Sequence, residues 1–244
     1  QVNLLTNKFN LAPQLNSEFS KADNVYIAKG DIHTIAQLKK AGVGKFTEYI
    51  EPNYIYSASV VPNDPEYGKQ WNLRSINIEP AWDETRGSGI TVAVIDTGIS
   101  PVPDLKDTKF VKGYNFVDDK VEAYDDAGHG THVAGTIAQS TNNNYGVAGI
   151  AYEASLMPLK VLGASGGGTV ADIAEAIRFA ADNKADVINM SLGGAGESQL
   201  MEEAINYAHS KGVTIIAADG NSNQTSAPPP SRSPPLLGVA SLAR

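Results

Sequence analysis

From about residue 70 onward, short apolar runs alternate with segments whose apolar residues recur every three to four positions. The runs Ile90–Ile95, Gly113–Val117, Leu156–Val161, Val187–Met190, Val213–Ala218 and, more weakly, Leu236–Ala240 have the length and continuity of buried strands. Between them Thr131–Ala138, Val170–Asp182 and Ser198–Ser210 read as helices, and in the second of these Ile173, Ala176, Ile177 and Ala180 share one face. This alternation predicts an α/β fold, doubly wound, with a mostly parallel sheet and helices on both faces. Ligands in such folds collect at the carboxyl edge of the strands, so the polar residues that end the strands, Asp96, Ser191 and Asn221, are expected to converge there. Asp96 closes the run Thr91-Val92-Ala93-Val94-Ile95, where nothing in the strand itself calls for a carboxylate. A catalytic or ligand-binding acid is expected there in preference to a turn-forming Asp.

Residues 1–58 have a different texture. Asn24–Ala28 reads as a strand, Asp31–Lys40 as a helix capped by Asp31, and Phe46–Ile50 as a second strand after the Gly42–Gly44 turn. Such a small α+β domain without disulfides buries little apolar surface and is expected to be marginal unless a partner surface stabilises it. Residues 59–69, with the small and polar Ser57–Pro65 around their start, read as an exposed linker, and residues 70–244 as the main domain.

Charge and composition narrow the function classes. The 244 residues carry a net charge of −8 with a pI near 5.0, which disfavours phosphate backbones and so nucleic acid as a partner. No apolar stretch is long enough to cross a bilayer, and no membrane association is expected. The absence of cysteine excludes disulfides, thiolate chemistry and cysteine-ligated zinc. The start Gln1-Val2-Asn3-Leu4-Leu5 has no leader signature, so an export signal is expected to have been removed or never included.

In Asp125-Asp126-Ala127-Gly128-His129-Gly130-Thr131-His132 one histidine stands between glycines, at a loop-to-helix junction open to close approach. The other precedes Val133-Ala134-Gly135 and reads as a buried histidine satisfied by hydrogen bonds. His129 beside a strand-end carboxylate suits a general base whose tautomer the acid fixes. The rival is a metal site of His129, His132 and Asp96, although no Glu follows as in His-Glu-x-x-His.

Four motifs together resemble the subtilases, the subtilisin-like serine proteases. Val94-Ile95-Asp96-Thr97-Gly98-Ile99 is similar to their aspartate motif, and His129-Gly130-Thr131-His132-Val133-Ala134-Gly135-Thr136 to their histidine motif. Asn189-Met190-Ser191-Leu192-Gly193-Gly194 resembles the substrate-binding segment and Ala217-Ala218-Asp219-Gly220-Asn221 the oxyanion-hole segment. The resemblance implies a secreted, monomeric serine endopeptidase acting on proteins or peptides, with Asp96 and His129 as acid and base and Asn221 as oxyanion donor. It also implies that Gly166, Gly167 and Gly168 with Ser191, Leu192 and Gly193 pair with an extended peptide, although alone the glycine run would pass for a flexible loop. Val170, Ile173 and Leu192 match the lining of an apolar subsite, a role that helical core packing explains equally well.

The same likeness implies a structural Ca²⁺ held by Asp104, Asn143, Gln70 and the carbonyls of Thr141, Tyr145 and Val147. The alternative for residues 141–147 is an Asn-rich surface turn. Residues 1–58 resemble the C-terminal part of the family propeptide, which docks on the peptidase domain, with maturation cleavage expected within residues 56–63. One element of the family is missing: no Gly-Thr-Ser tripeptide occurs, and Ser231, Ser233 and Ser241 lie in or after a proline-rich stretch. The chain alone is therefore expected not to turn over peptides. A shortened enzyme, a chain complemented by a separate fragment, and a natural peptide binder without hydrolysis all remain open.

Overall fold

The computed structural model describes residues 9, 11–41, 45, 47–53, 61–194, 196–220, 230–231 and 235–240. It divides into two compact units, Gln1–Ala58 and Ser59–Arg244.

In the first unit β1 (Gln14–Leu15) pairs antiparallel with β2 (Tyr26–Ile27), and α1 (Ser20–Asp23) lies between them. The strand expected over residues 24–28 is shorter because Asn24, at the end of α1, takes a left-handed φ of 55°. Helix α2 (Ile32–Lys40) is capped as expected: Asp31 accepts the Thr34 N–H, and the Thr34 hydroxyl accepts the Asp31 N–H. The strand expected at Phe46–Ile50 is not found among its described residues, and Phe46 lies outside them. Ile50 packs toward the small core of Leu11 and Leu38.

The second unit contains α3 (Trp71–Ser75), α4 (Ile78–Glu84), β3 (Thr91–Asp96), β4 (Lys109–Phe110), β5 (Tyr114–Asn115) and α5 (His129–Ala138). It continues with β6 (Ser155–Lys160), α6 (Val170–Asp182), β7 (Val187–Met190), α7 (Gln199–Ser210), β8 (Thr214–Ala218) and β9 (Leu237–Val239). The strands form one sheet in the order β4-β6-β3-β7-β8-β9, with β5 also on β6, and every one of these pairs is parallel. The alternation of side chains along β3 shows why the fold is doubly wound. Ala93 and Ile95 pack with Ala176 and Ile177 of α6 and with Ala204 and Ile205 of α7. Val92 and Val94 pack on the opposite face with Ala134 and Ala138 of α5. Helices α6 and α7 start at side-chain caps, Thr169 accepting from the Asp172 N–H and Ser198 from the Met201 N–H.

Two differences from expectation bear on the site. Residues 61–69 are not an exposed linker: Asp64 and Tyr67 are buried, and Glu66 N–H bonds to the Gly146 carbonyl. Burial lifts the Tyr67 hydroxyl to about 12, helped by its hydrogen bond to Glu79. β4 gave no apolar run because only its backbone joins the sheet, both side chains being exposed.

Candidate active site

Period-two alternation carries Asp96 to the same face of β3 as Val92 and Val94, the face covered by α5, whose first residue is His129. The two side chains meet: His129 Nδ1 lies 2.7 Å from Asp96 Oδ1. Asp96 is fully buried, whereas the His129 side chain is 53% exposed, so the carboxylate is shielded and the imidazole reaches solvent. Asp96 Oδ1 also accepts the Thr97 N–H at 2.7 Å, and Oδ2 has no partner among the described residues. A buried carboxylate oxygen left without a donor costs roughly 1–3 kcal/mol or more, which is a mark of a functional position. The carboxylate on Nδ1 leaves Nε2 as the nitrogen that can take and return a proton.

Glycine is obligatory at one contact of this pair. A Cβ on Gly130 would lie 2.2 Å from the Gly98 carbonyl oxygen and 3.1 Å from the Asp96 Cβ. His132 corrects an expectation. It is exposed, because a residue three positions after His129 shares the outer side of α5 with it instead of turning to the core.

Gly166–Gly168 follow β6, and Ser191–Gly193 follow β7. These are the strands on either side of β3, so both segments leave the sheet at the carboxyl edge, flanking Asp96. Gly166–Gly168 and Val170 are exposed, and Gly168 has no room for a side chain, since its Cβ would lie 2.1 Å from the Val161 carbonyl oxygen. Ser191 Oγ accepts from Asn189 Nδ2, Leu192 is half-buried, and Gly193 is exposed. Ile173 is buried in the core with α7 and the sheet, so core packing accounts for it, whereas Val170 is exposed. Asn221, Ser233 and Ser241 lie outside the described residues, and Ser231 sits in a turn before β9.

The expected cation ligands are gathered at the opposite end of the α5 segment. Asp104 is buried: Oδ1 accepts from Asn143 Nδ2 at 2.7 Å, and Oδ2 accepts from Val147 N–H at 3.0 Å and from Gln139 Nε2. The Asn143 Oδ1 accepts the Tyr145 N–H, and the Thr141 hydroxyl donates to the Gln139 carbonyl. Gly146, with φ +59°, closes the loop where any Cβ would stand 1.9 Å from Asp104 Oδ2. Gln70 is engaged elsewhere, since its Nε2 donates to the Ala148 carbonyl and its Oε1 accepts the Ala148 N–H. A carboxylate overlooked in the sequence reading stands at the loop instead: Asp64, 4% exposed, accepts the N–H groups of Asn142 and Asn143. Its only sequence signal was a lone Asp between prolines, which reads as a turn. Two buried carboxylates and the Asn143 amide oxygen around one loop are hard oxygen donors of the kind that suits a hard cation.

Residues 87–243 match the model of the Subtilase family. The chain belongs to the subtilase family. This subtilase chain is 41% identical over 210 residues to the thermophilic serine proteinase of Bacillus sp. strain AK1, covering 85% of the chain and 52% of that protein. It is 37% identical over 250 residues to the extracellular protease of Xanthomonas campestris pv. campestris, covering 85% of the chain and 42% of the relative. A solved structure of proteases from Pseudoalteromonas arctica aligns with a TM-score of 0.70 at 38% identity, over 75% of this subtilase chain and 66% of that one. The chain thus spans about half the length of the curated relatives it matches. No helix among the described residues is long and apolar enough to cross a membrane.

Proposed function

We propose that the chain contributes the acid, the base and the peptide cleft of a subtilisin-type serine endopeptidase. The observation that supports this most is the 2.7 Å contact between His129 Nδ1 and the fully buried Asp96 carboxylate. In the proposed reaction Nε2 of His129 withdraws the proton of a serine hydroxyl as that oxygen attacks the peptide carbonyl, then returns the proton to the leaving amine. Asp96 keeps Nδ1 protonated and stabilises the imidazolium formed in between. Asn221 donates its amide to the carbonyl oxygen as negative charge develops there. The serine is supplied from outside these residues, because the family's serine motif does not occur in them.

The cleft follows from strand spacing. Neighbouring strands lie about 4.8 Å apart, so segments prolonging β6 and β7 past the end of β3 flank a slot about one strand wide. An extended peptide entering that slot pairs with Gly166–Gly168 on one side and Ser191–Gly193 on the other. Exposed Val170 and half-buried Leu192 give it a mild apolar preference upstream of the cut.

A structural Ca²⁺ belongs to the same reading, held by Asp104, Asn143, the carbonyls of Thr141, Tyr145 and Val147, and Asp64 in place of Gln70. It would supply positive charge between two buried carboxylates and brace the loop. Residues 1–58 act as a propeptide remnant that covers the cleft until cut off, and the protease is secreted, as the name of the Xanthomonas relative suggests for that protein. A second reading, peptide binding without hydrolysis, is favoured by the missing serine motif alone.

The natural protein, purified with whatever accompanies it, is incubated with a fluorophosphonate probe. Covalent labelling that is lost in His129→Ala supports the protease. Tight binding of peptides with no labelling overturns it in favour of the binder.

A further inference from the structure

A second carboxylate organises the surroundings of His129. The residue before helix α5 is Gly128, its N-cap, with φ +91° and no side chain to cap the helix. Asp125, three residues earlier, takes over that work. Its Oδ2 accepts the Thr131 N–H at 2.9 Å and the Thr131 hydroxyl at 2.6 Å. Its Oδ1 accepts the N–H groups of Ala127 and Gly128, at 2.9 and 2.8 Å, and the Thr97 hydroxyl at 2.8 Å. The Thr97 oxygen in turn accepts the Gly130 N–H at 2.8 Å. The backbone on both sides of His129 is therefore held by one carboxylate, partly through the residue that follows Asp96.

Further contacts close the same seam. Ser100 Oγ bonds to the N–H and the carbonyl of Asp125, and Ser100 N–H donates to Thr131 Oγ1. Lys160, 2% exposed and beside Asp96 in the sheet register, donates to the Thr97 carbonyl, the Leu162 carbonyl and Asp126 Oδ1. Thr97 is thus gripped by its hydroxyl and by its carbonyl, and both grips lead back to the segment that ends at His129.

We propose that Asp125 is a positioning residue of the active site: through the peptide groups flanking His129 and through Thr97 it holds the imidazole at hydrogen-bond distance from Asp96. Five donors converge on its two oxygens, a demand that an ionised carboxylate meets and that an amide, with one acceptor and two donors of its own, does not. Although burial opposes the charge, the hydrogen bonds from Thr131, Ala127 and Gly128 hold the Asp125 carboxyl well below the usual carboxylate range. The inference rests on the reading of Asp96 and His129 as acid and base.

The test is NMR of the chain with ¹⁵N-labelled histidine, which has four histidines to distinguish. The His129 Nδ1 proton, bonded to Asp96, is expected as a slowly exchanging downfield signal that disappears in Asp96→Asn. Asp125→Asn is expected to raise its exchange with water at least tenfold or erase it, with the amide signals of β3 retained. Thr97→Val is expected to do the same, and Thr97→Ser, which keeps the hydroxyl, to restore it. An unchanged signal in folded Asp125→Asn overturns the proposal, and if that variant does not fold, an unchanged signal in Thr97→Val does so. Absence of any Asp96-dependent signal in the unaltered chain would instead overturn the acid–base reading itself.

Discussion

Two buried carboxylates, Asp96 and Asp104, sit near opposite ends of the same helix and are satisfied in opposite ways. Asp104 has both oxygens covered by the neutral N–H donors of Asn143, Val147 and Gln139, within a loop that leaves no space for a side chain at position 146. Asp96 has one oxygen shared by Thr97 N–H and an imidazole, and the other without a partner among the described residues. Wrapping a carboxylate in fixed amides braces a loop. Leaving it against a half-exposed imidazole, which can change its charge, makes it useful for chemistry. The comparison predicts that one site fails in rate and the other in stability.

The largest effect is expected at Asp96. If the proposed function holds, Asp96→Asn should lower kcat for peptide hydrolysis by the natural protein about ten-thousand-fold, through loss of the required tautomer, with the melting temperature little changed. Asp104→Asn should do the reverse, and a large loss of kcat with undiminished stability would break the comparison. Next comes calcium. Thermal unfolding with Ca²⁺ at a hundred times its Kd should show about 2.7 kcal/mol more stability than unfolding in chelator, and both Asp104→Asn and Asp64→Asn should remove that increment. Equal melting in calcium and chelator for the unaltered chain would sink the cation site.

Gly146→Ala should cost about 1–3 kcal/mol by forcing a Cβ onto Asp104 and abolish the calcium response, leaving the Asp96–His129 contact as it is. The smallest expected effect concerns pH. Because the folded Asp125 carboxyl is held below its ordinary value of 3.8, the stability it confers is fully present above that value and drains away as pH falls further. Denaturant midpoints measured between pH 5 and 2, in about half-unit steps, should therefore fall less steeply in Asp125→Asn.

Much of this was legible from the residues because buried parallel strands leave a strong trace. β7 and α6 have the bounds that their apolar runs and periodicity imply, since Ile188 and Met190 of the strand and Ile173, Ala176, Ile177 and Ala180 of the helix are buried in one core. β4 was not legible, because its two exposed residues join the sheet by backbone alone. Asp96 and His129 stood out as chemistry placed where packing gives no reason for it. Asp64 did not, because its importance comes from a loop nearly eighty residues away, with N–H groups that only the fold brings to it.

The sequence by itself determined the parallel α/β architecture and singled out Asp96 and His129, the pair whose side chains meet, since both follow from patterns local to a strand or a helix start. Tertiary structure alone decided which oxygen of Asp96 meets His129, that His132 turns outward, and that Asp64 rather than Gln70 faces the Asn-rich loop. Such choices depend on the geometry of groups distant along the chain, and local propensity does not encode it.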